Sequence, residues 1–383
     1  MRIAIFSDSW YPYVSGVVRS IEIFMGELHR QNHQAFLFAP SRLPAGNQED
    51  FHRVFSLPAP GNPDFRLALP LSGGLGRLLK KMSVDILHCH SPFMMGRAGM
   101  FWSRRLGLPL VFTHHTLYDL YSHYAGPLAK PAAKSLTRYV RGFSNRCDLV
   151  ITPTKIVAKK LAAQGVTAPM EAVPTGIVPE EFREGDDTWL HRNLGLAKED
   201  TVILCVARLG VEKNLFLLLK SFSLIQKRFP RSLLVVVGLG PLGLKLKKFA
   251  GELGLSERFH LLDRVLSREE MVGCYASADL FLYPSVTETQ GIIINEAQAA
   301  GLPVVAVGAY GVAEMVTDGV DGILTEPEPE SLAEAAVRIL SDESLRARLA
   351  GGALEAARLI TAGETTMRLV RAYQRTIQLH KDS

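Results

Sequence analysis

The sequence predicts an α/β protein of two doubly wound domains, each with a parallel sheet covered by helices on both faces. The chain has 383 residues, which is more than one ordinary hydrophobic core accommodates. In both halves, short apolar runs typical of buried strands alternate with longer helical stretches. This alternation favours parallel sheets joined by crossover helices, with ligands bound at the carboxyl ends of the strands.

The first half alternates strands and helices from its first residues. Arg2–Phe6 is predicted to be a strand, and Ser15-Gly16-Val17 opens a helix that ends near Gln31. Residues 40–75 are rich in Pro and Gly and form a long excursion around one short run, Arg53–Leu57. The other strands predicted in this half are Gln34–Phe38, Val84–His88, Pro109–Thr113 and Asp148–Thr152.

The second half repeats this pattern and ends in a helical tail from Ser331. We predict a first domain of residues 1–169, with a C-terminal helix of about residues 365–383 crossing back onto it. Residues 170–364 form the second domain, and the two domains face each other across a cleft. The predicted strands of the second half are Val202–Val206, Ser232–Val237, Phe259–Leu262, Asp279–Tyr283 and Val304–Val307. The predicted helices between them include Leu215–Phe229, Leu242–Leu253 and Arg268–Ala276.

Composition indicates a soluble globular protein of the cytoplasm. Hydrophobic residues make up 47% and charged residues 21% of the chain. No stretch approaches the roughly 18 uninterrupted apolar residues that span a membrane. The N-terminus reads as a strand rather than as a signal peptide. The four cysteines are far apart in sequence, which favours reduced thiols over disulfides or a zinc site.

The net charge of +5 hides an asymmetry between the two halves. Residues 1–170 contain 20 Lys and Arg against 9 Asp and Glu, a balance of +11. Residues 171–383 contain 23 basic and 29 acidic residues, a balance of −6. The basic half therefore suits an anionic partner surface, although uneven solubilising charge would give the same composition.

The stretch from Ser285 to Val305 carries the strongest functional signal. Glu288 and Glu296 are separated by seven residues, and they lie on a predicted strand–loop–helix crossing. Between them, Gln290 and Gly291 place backbone N–H groups at the start of the helix, where a phosphate group is favoured. Two carboxylates that flank an anion site suggest a ligand with hydroxyl-rich rings on either side of a phosphate. A nucleotide sugar has that shape.

Four motifs together resemble the retaining glycosyltransferases with the GT-B fold, a family that includes sucrose-phosphate synthases and mannosyltransferases. The motifs are S-G-V (15–17), T-H-H-T (113–116), A-R-L-x-x-E-K-N (207–214) and E-x7-E (288–296). The resemblance covers the whole chain. It is closest to the bacterial subgroup that glycosylates diacylglycerol or related lipids, on D-S-W-Y-P-Y-V-S-G-V (8–17), T-H-H-T-L-Y-D-L-Y-S-H-Y (113–124) and T-E-T-Q-G (287–291).

Arg208 and Lys213 are the candidate cations for the leaving group. Both follow the predicted strand Val202–Val206, at the same sheet edge as Glu288. Sugar transfer from a nucleotide sugar expels a diphosphate, and two cations aimed at it stabilise the charge that develops. Arg can contact two oxygens in one plane, whereas Lys supplies a point charge.

The remaining site residues follow from the resemblance. It implies that Glu296 binds the ribose hydroxyls and that Glu288 meets the donor sugar near the reacting carbon. It also implies that His115 faces the donor sugar and the acceptor. Gly16 opens the first helix and, lacking a Cβ, lets a diphosphate approach the backbone. The segment V-G-L-G-P (237–241) follows a strand and is a further candidate for the donor site.

The histidines of the first half do not follow a metal-binding pattern. There is no H-x-x-x-H on a helix and no D-x-D, so we expect neither a metal nor another cofactor. The clustered histidines are His88, His90, His114, His115 and His123.

Two basic stretches of the first half could contact an anionic membrane surface. Pro127–Cys147 carries Lys130, Lys134, Arg138, Arg141 and Arg146. Arg66–Met82 mixes apolar residues with Arg77, Lys80 and Lys81. A solvated helix face would have the same spacing, but the charge of the whole domain favours a membrane. Nucleic acid is disfavoured because no known reading module accompanies these residues.

The sequence therefore predicts a retaining, metal-independent hexosyltransferase. The donor is a nucleotide sugar of the UDP-glucose or GDP-mannose type, and the predicted acceptor is a hydroxyl of a membrane lipid such as diacylglycerol. The enzyme would then be cytoplasmic and peripheral on the inner face of the membrane. A soluble oligosaccharide or small-molecule acceptor remains the alternative, followed by a sugar-nucleotide epimerase of the same architecture.

Overall fold

The computed structural model describes residues 1–13, 15–41, 50–59, 62–70, 74–120 and 129–382. The chain divides into two compact units, one formed by Met1–Gly176 with Ala362–Ser383 and the other by Ile177–Thr361. Each unit is built on a parallel sheet with helices, which confirms the predicted fold class. None of the described helices is both long and apolar enough to cross a membrane.

The strands are numbered along the chain. They are β1 (Arg2–Phe6), β2 (Gln34–Pro40), β3 (Phe51–Val54), β4 (Ser56–Ala59), β5 (Asn62–Ala68), β6 (Ile86–Cys89), β7 (Leu110–Thr113), β8 (Leu149–Thr152), β9 (Met170–Ala172), β10 (Thr201–Val206), β11 (Ser232–Val237), β12 (Phe259–Leu262), β13 (Leu280–Tyr283), β14 (Val304–Val307) and β15 (Gly322–Thr325).

The helices are numbered in the same way. They are α1 (Gly16–Arg30), α2 (Gly74–Lys81), α3 (Met94–Leu106), α4 (Ala129–Ser144), α5 (Lys155–Ala163), α6 (Glu180–Arg183), α7 (Trp189–Leu194), α8 (Leu215–Arg228), α9 (Gly243–Glu252), α10 (Arg268–Ala276), α11 (Ile292–Ala299), α12 (Val312–Met315), α13 (Pro329–Ser341), α14 (Glu343–Leu359) and α15 (Ala362–Asp382).

Both sheets reverse their strand order near the middle. In the first unit the order is β3-β2-β1-β6-β7-β8-β9, and β4 and β5 form a separate antiparallel hairpin. In the second unit the order is β12-β11-β10-β13-β14-β15. Consecutive strands therefore run outward in opposite directions from β1/β6 and from β10/β13. Loops diverge at such a switch point and leave a crevice at the carboxyl ends of the two strands.

The differences from the predicted elements are local. The excursion of residues 40–75 contains β3, β4 and β5 rather than one strand, and the predicted run Arg53–Leu57 straddles the junction of β3 and β4. The expected domain boundary after residue 169 falls just before β9, whereas the chain divides after Gly176. The reason is that β9 pairs with β8 and so extends the first sheet.

The C-terminal helix α15 belongs to the first unit, and its contacts there include a buried hydrogen bond and two exposed pairs of side chains. The hydroxyl of Tyr373 lies 2.5 Å from Nδ1 of His88, and both side chains are buried. At the exposed side of α15, Arg375 pairs with Glu171. His380 pairs with Asp148, the residue immediately before β8.

We expect Tyr373→Phe to destabilise the first unit. The substitution keeps the ring but leaves Nδ1 of buried His88 without its partner, at a cost of about 1–3 kcal/mol. Urea denaturation followed by a probe in the first unit measures the change. Arg375→Gln is the control, because an exposed ion pair contributes less than about 1 kcal/mol. Equal effects of the two substitutions would contradict this account of how α15 is held.

Candidate active site

Glu288 lies in the loop after β13, where three donors converge on one of its carboxylate oxygens. Oε1 accepts hydrogen bonds from the hydroxyl of Tyr283 at 2.6 Å and from the hydroxyl of Ser285 at 2.7 Å. The same oxygen forms a close ion pair with Nζ of Lys213, from the loop after β10. The side chains of Lys213 and Glu288 are each only 13% exposed, so this pair is largely shielded from water.

The surroundings of Glu288 keep its carboxylate ionised. Burial raises the pKa of Glu288, but the charge of Lys213 and the hydrogen bonds from Lys213, Tyr283 and Ser285 outweigh it. The net result is a pKa below the usual value for Glu. Burial, followed by the neighbouring Glu288 charge, raises the pKa of Tyr283 well above its ordinary value, so this phenol remains a donor.

Arg208 is oriented by a carboxylate that the sequence analysis did not single out. Its Nη1 lies 3.1 Å from Oε1 of Glu212, whose side chain is 1% exposed, whereas the side chain of Arg208 is 42% exposed. A buried partner therefore fixes Arg208 while leaving part of its guanidinium accessible. The hydroxyl of Thr287 donates to the backbone oxygen of Glu212 at 3.2 Å, which ties the loops after β10 and β13 together.

Glu296 is buried on α11, in the second turn of that helix. Its Oε1 accepts from Nη1 of Arg268 at 2.9 Å, and its Oε2 accepts from the hydroxyl of Tyr275 at 3.0 Å. Arg268 is itself held by Glu181, at 2.6 Å, and its guanidinium lies 4.6 Å from the ring centroid of Phe182. Both carboxylate oxygens of Glu296 thus have a fixed partner.

Gln290 and Gly291 form the turn into α11. Gly291 precedes the helix with φ of +84°, a left-handed conformation that favours glycine. The buried side chain of Gln290 donates to Asn295 at 3.1 Å, and the amide chain continues through Gln298 to the backbone oxygen of Met315. The side chain of Gln290 therefore shapes the loop, and the start of α11 contributes the positive end of a helix dipole.

The glycines of V-G-L-G-P (237–241) have a packing explanation. A Cβ at Gly238 would lie 1.8 Å from the backbone oxygen of Ala207. Gly238 thus lets the loop after β11 lie directly on the loop after β10, next to Arg208. This contact accounts for the glycine without a ligand.

In the first unit, Gly16 begins α1 after the strand β1. Ser15 caps the helix by accepting from the backbone N–H of Val18 at 3.4 Å. A Cβ at Gly16 would meet no atom within 4 Å, so packing does not explain the glycine. The exposed start of α1 lies at the carboxyl edge of the sheet, beside the switch point of β1 and β6.

His115 follows β7 and is part of a histidine cluster. Its Nε2 lies 2.8 Å from Nδ1 of His90, and the two rings stack with centroids 5.0 Å apart. The ring of His90 lies 4.2 Å from that of His88, whose Nε2 is 2.6 Å from the hydroxyl of Thr113. His114 points to a different neighbourhood and contacts Tyr118 edge-on.

Burial makes the histidine cluster neutral at physiological pH. Burial lowers the pKa of His88 and of His115 to about 3, with a further contribution from neighbouring histidines, and it lowers the pKa of His114 to about 4. Neutral rings can exchange hydrogen bonds but bring no charge. In the described part of the chain, no three His, Cys, Asp or Glu side chains form a group suited to a metal ion. His123 lies outside the described residues.

The second unit brings the predicted site residues to one sheet edge. Lys213 and Glu288 are in direct contact, with Arg208 on the same loop as Lys213. The residues that sequence analysis missed are Glu212, Arg268, Tyr275, Tyr283 and Ser285. The proximity of Ser285 and Tyr283 to Glu288 in sequence was a usable signal, whereas no local spacing connects Arg268 or Tyr275 with Glu296. Chemically, this edge offers three cation–carboxylate pairs near a helix start, which suits a ligand with phosphate and hydroxyl groups.

Two family descriptions together match most of this chain, and the chain is similar to two synthases of known name. Residues 14–181 match Glycosyltransferase Family 4, and residues 186–355 match Glycosyl transferases group 1. The chain is 32% identical over 334 residues to the alpha-monoglucosyldiacylglycerol synthase of Streptococcus pneumoniae (strain ATCC BAA-255 / R6), covering 85% of this chain and 75% of that protein. It is 31% identical over 345 residues to the alpha-monoglucosyldiacylglycerol synthase of Acholeplasma laidlawii, covering 86% of each.

The fold is shared with a solved glycosyltransferase-like structure, the Anabaena protein Alr3699/HepE in complex with UDP-glucose. The TM-score is 0.79 at 20% sequence identity, over 98% of this chain and 100% of that one. Family matches in both halves of the chain, together with these two relatives of more than 30% identity, establish the family. The chain belongs to family 4 of the glycosyltransferases, and it has their GT-B fold.

Proposed function

We propose that this enzyme transfers a hexose with retention and without a metal, from a nucleotide sugar to a hydroxyl of a membrane lipid such as diacylglycerol. UDP-glucose is the proposed donor. The observation that carries the proposal is the shielded contact of Lys213 with Glu288 at the switch point, with Arg208 beside it. Two relatives named as alpha-monoglucosyldiacylglycerol synthases support the sugar and the acceptor, and a structural neighbour that holds UDP-glucose supports the donor.

The proposed role of Arg208 and Lys213 is to stabilise the departing diphosphate. The bond between the anomeric carbon and the phosphate oxygen breaks, and both cations neutralise the charge that develops on that oxygen. Two fixed cations supply at this position what a metal supplies in other transferases. Lys213 reaches the diphosphate by exchanging its partner Glu288 for a phosphate oxygen.

The proposed role of Glu288 is to stabilise positive charge on the anomeric carbon. Its Oε1 accepts from three donors, which makes this oxygen a poor nucleophile but leaves the carboxylate charged. This arrangement favours attack by the acceptor on the face that the diphosphate leaves. The acceptor hydroxyl then loses its proton to an oxygen of the departing diphosphate, and the configuration of the sugar is retained.

The activity is tested with UDP-glucose and with GDP-mannose, each added with diacylglycerol vesicles and excess chelator. We expect an α-linked glucolipid from UDP-glucose, formed at the same rate with and without chelator. Loss of transfer on chelation would contradict metal independence. Transfer to a soluble sugar but not to the lipid would replace the proposed acceptor, and conversion of UDP-glucose without any acceptor would favour the epimerase.

The role of Arg208 is tested with Arg208→Ala. Removing one electrostatic donor from a transition state typically costs about 10²–10³-fold in kcat, and we expect a loss in this range. Arg231→Ala is the matched control, because Arg231 is in the same unit and pairs with Glu199 on its exposed surface. Steady-state kinetics measures kcat for both variants. Equal losses of kcat in Arg208→Ala and Arg231→Ala would contradict the proposal.

A basic and apolar surface of the first unit supports the lipid acceptor. The exposed residues Arg77, Lys80 and Lys81 end α2, which packs on α3 through Gly76 and Trp102. On α4 the predicted basic residues Lys134, Arg138 and Arg141 are exposed, and so is Arg146 just beyond it. Pro127 and the side chain of Lys130 lie outside the described residues.

Exposed apolar side chains occur on neighbouring elements of the same unit: Phe55, Leu57 and Leu67 on and beside the β4–β5 hairpin, and Phe101 on α3. Basic residues near apolar ones favour the surface of an anionic bilayer.

The membrane surface is tested by changing Arg77, Lys80 and Lys81 together to Gln. Each basic residue near an anionic bilayer contributes about 1 kcal/mol, so the triple variant should bind vesicles of anionic lipid about a hundredfold more weakly. Changing Lys227, Arg228 and Lys245 of the second unit, also exposed, removes the same charge as a control. Co-sedimentation with anionic and neutral vesicles measures both. Equal binding to the two kinds of vesicle would remove the electrostatic basis of the proposal.

A further inference from the structure

The two carboxylates of E-x7-E have the same kinds of partner: each contacts one cation and one buried tyrosine. Glu288 pairs with Lys213 and accepts from the hydroxyl of Tyr283 at 2.6 Å. Glu296 pairs with Arg268 and accepts from the hydroxyl of Tyr275 at 3.0 Å. Both tyrosines are among the largest fully buried or nearly fully buried side chains of the protein.

Packing alone explains the rings of these tyrosines but not their hydroxyls. A phenylalanine would fill nearly the same space, whereas a buried hydroxyl requires a hydrogen-bond partner. The hydroxyl of Tyr283 finds that partner in Glu288. The hydroxyl of Tyr275 finds it in Glu296, with a longer contact of 3.5 Å to the backbone oxygen of Ile293.

Lys213 and Arg268 are expected to respond differently when a nucleotide sugar binds. Lys213 is the residue that exchanges Glu288 for the diphosphate in the proposed function, so Glu288 then depends on Tyr283 and Ser285 to stay in place. Arg268 has a second carboxylate partner, Glu181, and its ring contact, so it stays beside Glu296 when the donor binds. During the reaction Glu288 is thus held by the two hydroxyls, whereas Glu296 remains paired with Arg268.

We propose that Tyr283 and Tyr275 are positioning residues that give the two carboxylates separate tasks. Tyr283 holds Glu288 for the transfer step, and Tyr275, together with Arg268, holds Glu296 for binding of the nucleotide part of the donor. This inference rests on the proposed function and extends it to residues that do not themselves touch the substrate.

The inference predicts a difference in pH dependence as well as in rate. In the described part of the second unit, the titratable and charged side chains that contact Glu288 are Lys213 from the loop after β10 and Tyr283 from β13. The hydrogen bond from Tyr283 is one of the contacts that hold the pKa of Glu288 below its usual value, so removing it raises that pKa. If Glu288 must be ionised for transfer, the acid limb of the activity–pH profile then moves to higher pH.

The experiment compares Tyr283→Phe with Tyr275→Phe, which make the same chemical change at the two carboxylates. For Tyr283→Phe we expect kcat to fall about tenfold to a hundredfold, the range for one hydrogen bond to a charged group, with the acid limb shifted to higher pH and the donor KM unchanged. For Tyr275→Phe we expect a raised donor KM and weaker binding of UDP by calorimetry, with kcat and the acid limb unchanged. Ser285→Ala removes another donor to Oε1 of Glu288, so it should reproduce the signature of Tyr283→Phe and replaces that variant if it does not fold.

Two results would overturn the inference. In the first, both tyrosine variants melt at lower temperature but keep the kcat, the KM and the pH profile of the parent, which indicates packing alone. In the second, the two variants change kcat and KM in the same way, which indicates no division of tasks. Failure of the parent enzyme to transfer glucose from UDP-glucose would refute the proposed function instead, and UDP binding by Tyr275→Phe would still test the role at Glu296.

Discussion

The buried carboxylates Glu288 and Glu296 are the constraint on which the second unit depends. A carboxylate that is removed from water without compensation is strongly unfavourable, and deleting one partner of a buried ion pair typically costs about 3–5 kcal/mol. Both acids are compensated from outside their own element. The contact of Glu288 with Lys213 joins the loops after β13 and β10, and the contact of Glu296 with Arg268 joins α11 to α10. The contacts that offset the cost of burying these carboxylates therefore also fix the elements that form the site.

The order of the strands explains why these charges meet where they do. Because β10 and β13 are neighbours at the switch point, the loops that follow them leave the sheet side by side. Arg208 and Lys213 come from one loop and Glu288 from the other, and α11 begins at the end of the second loop. In the structure each of these cations has a carboxylate partner, Glu212 for Arg208 and Glu288 for Lys213. In the proposed function a diphosphate adds negative charge to this set, and Lys213 can exchange partners most readily because Glu288 has two other donors.

The sequence was sufficient for most strands of the two sheets and for part of the site. Apolar runs predicted β11, β12 and β14 to the residue. β11 and β14 are buried throughout, and strands buried on both faces are mostly apolar. Short strands with weak apolar character, β9 and β15, gave no such signal. Lys213 and Glu288 were predicted to lie at the same sheet edge, and in the structure their side chains form an ion pair. The partners of Glu296 could not be predicted, because Arg268 and Tyr275 lie 28 and 21 residues away on another helix. Tyr283 was visible only as an apolar residue of a strand, since nothing in a strand pattern shows where a hydroxyl points.

The two units solve the problem of polar groups at a sheet edge in different ways. The second unit keeps Glu288 ionised with a cation and two hydroxyls, which hold its pKa below the usual value. The first unit instead packs His88, His90 and His115 against one another, and burial lowers their pKa values so far that the rings stay neutral. His115 can therefore donate or accept a hydrogen bond, but it cannot supply a charge near pH 7. Exposed helix residues of the first unit, such as Lys80 and Arg138, carry positive charge. The proposed recognition of a diphosphate by charge therefore rests on the second unit, and the proposed membrane contact rests on the basic surface of the first unit.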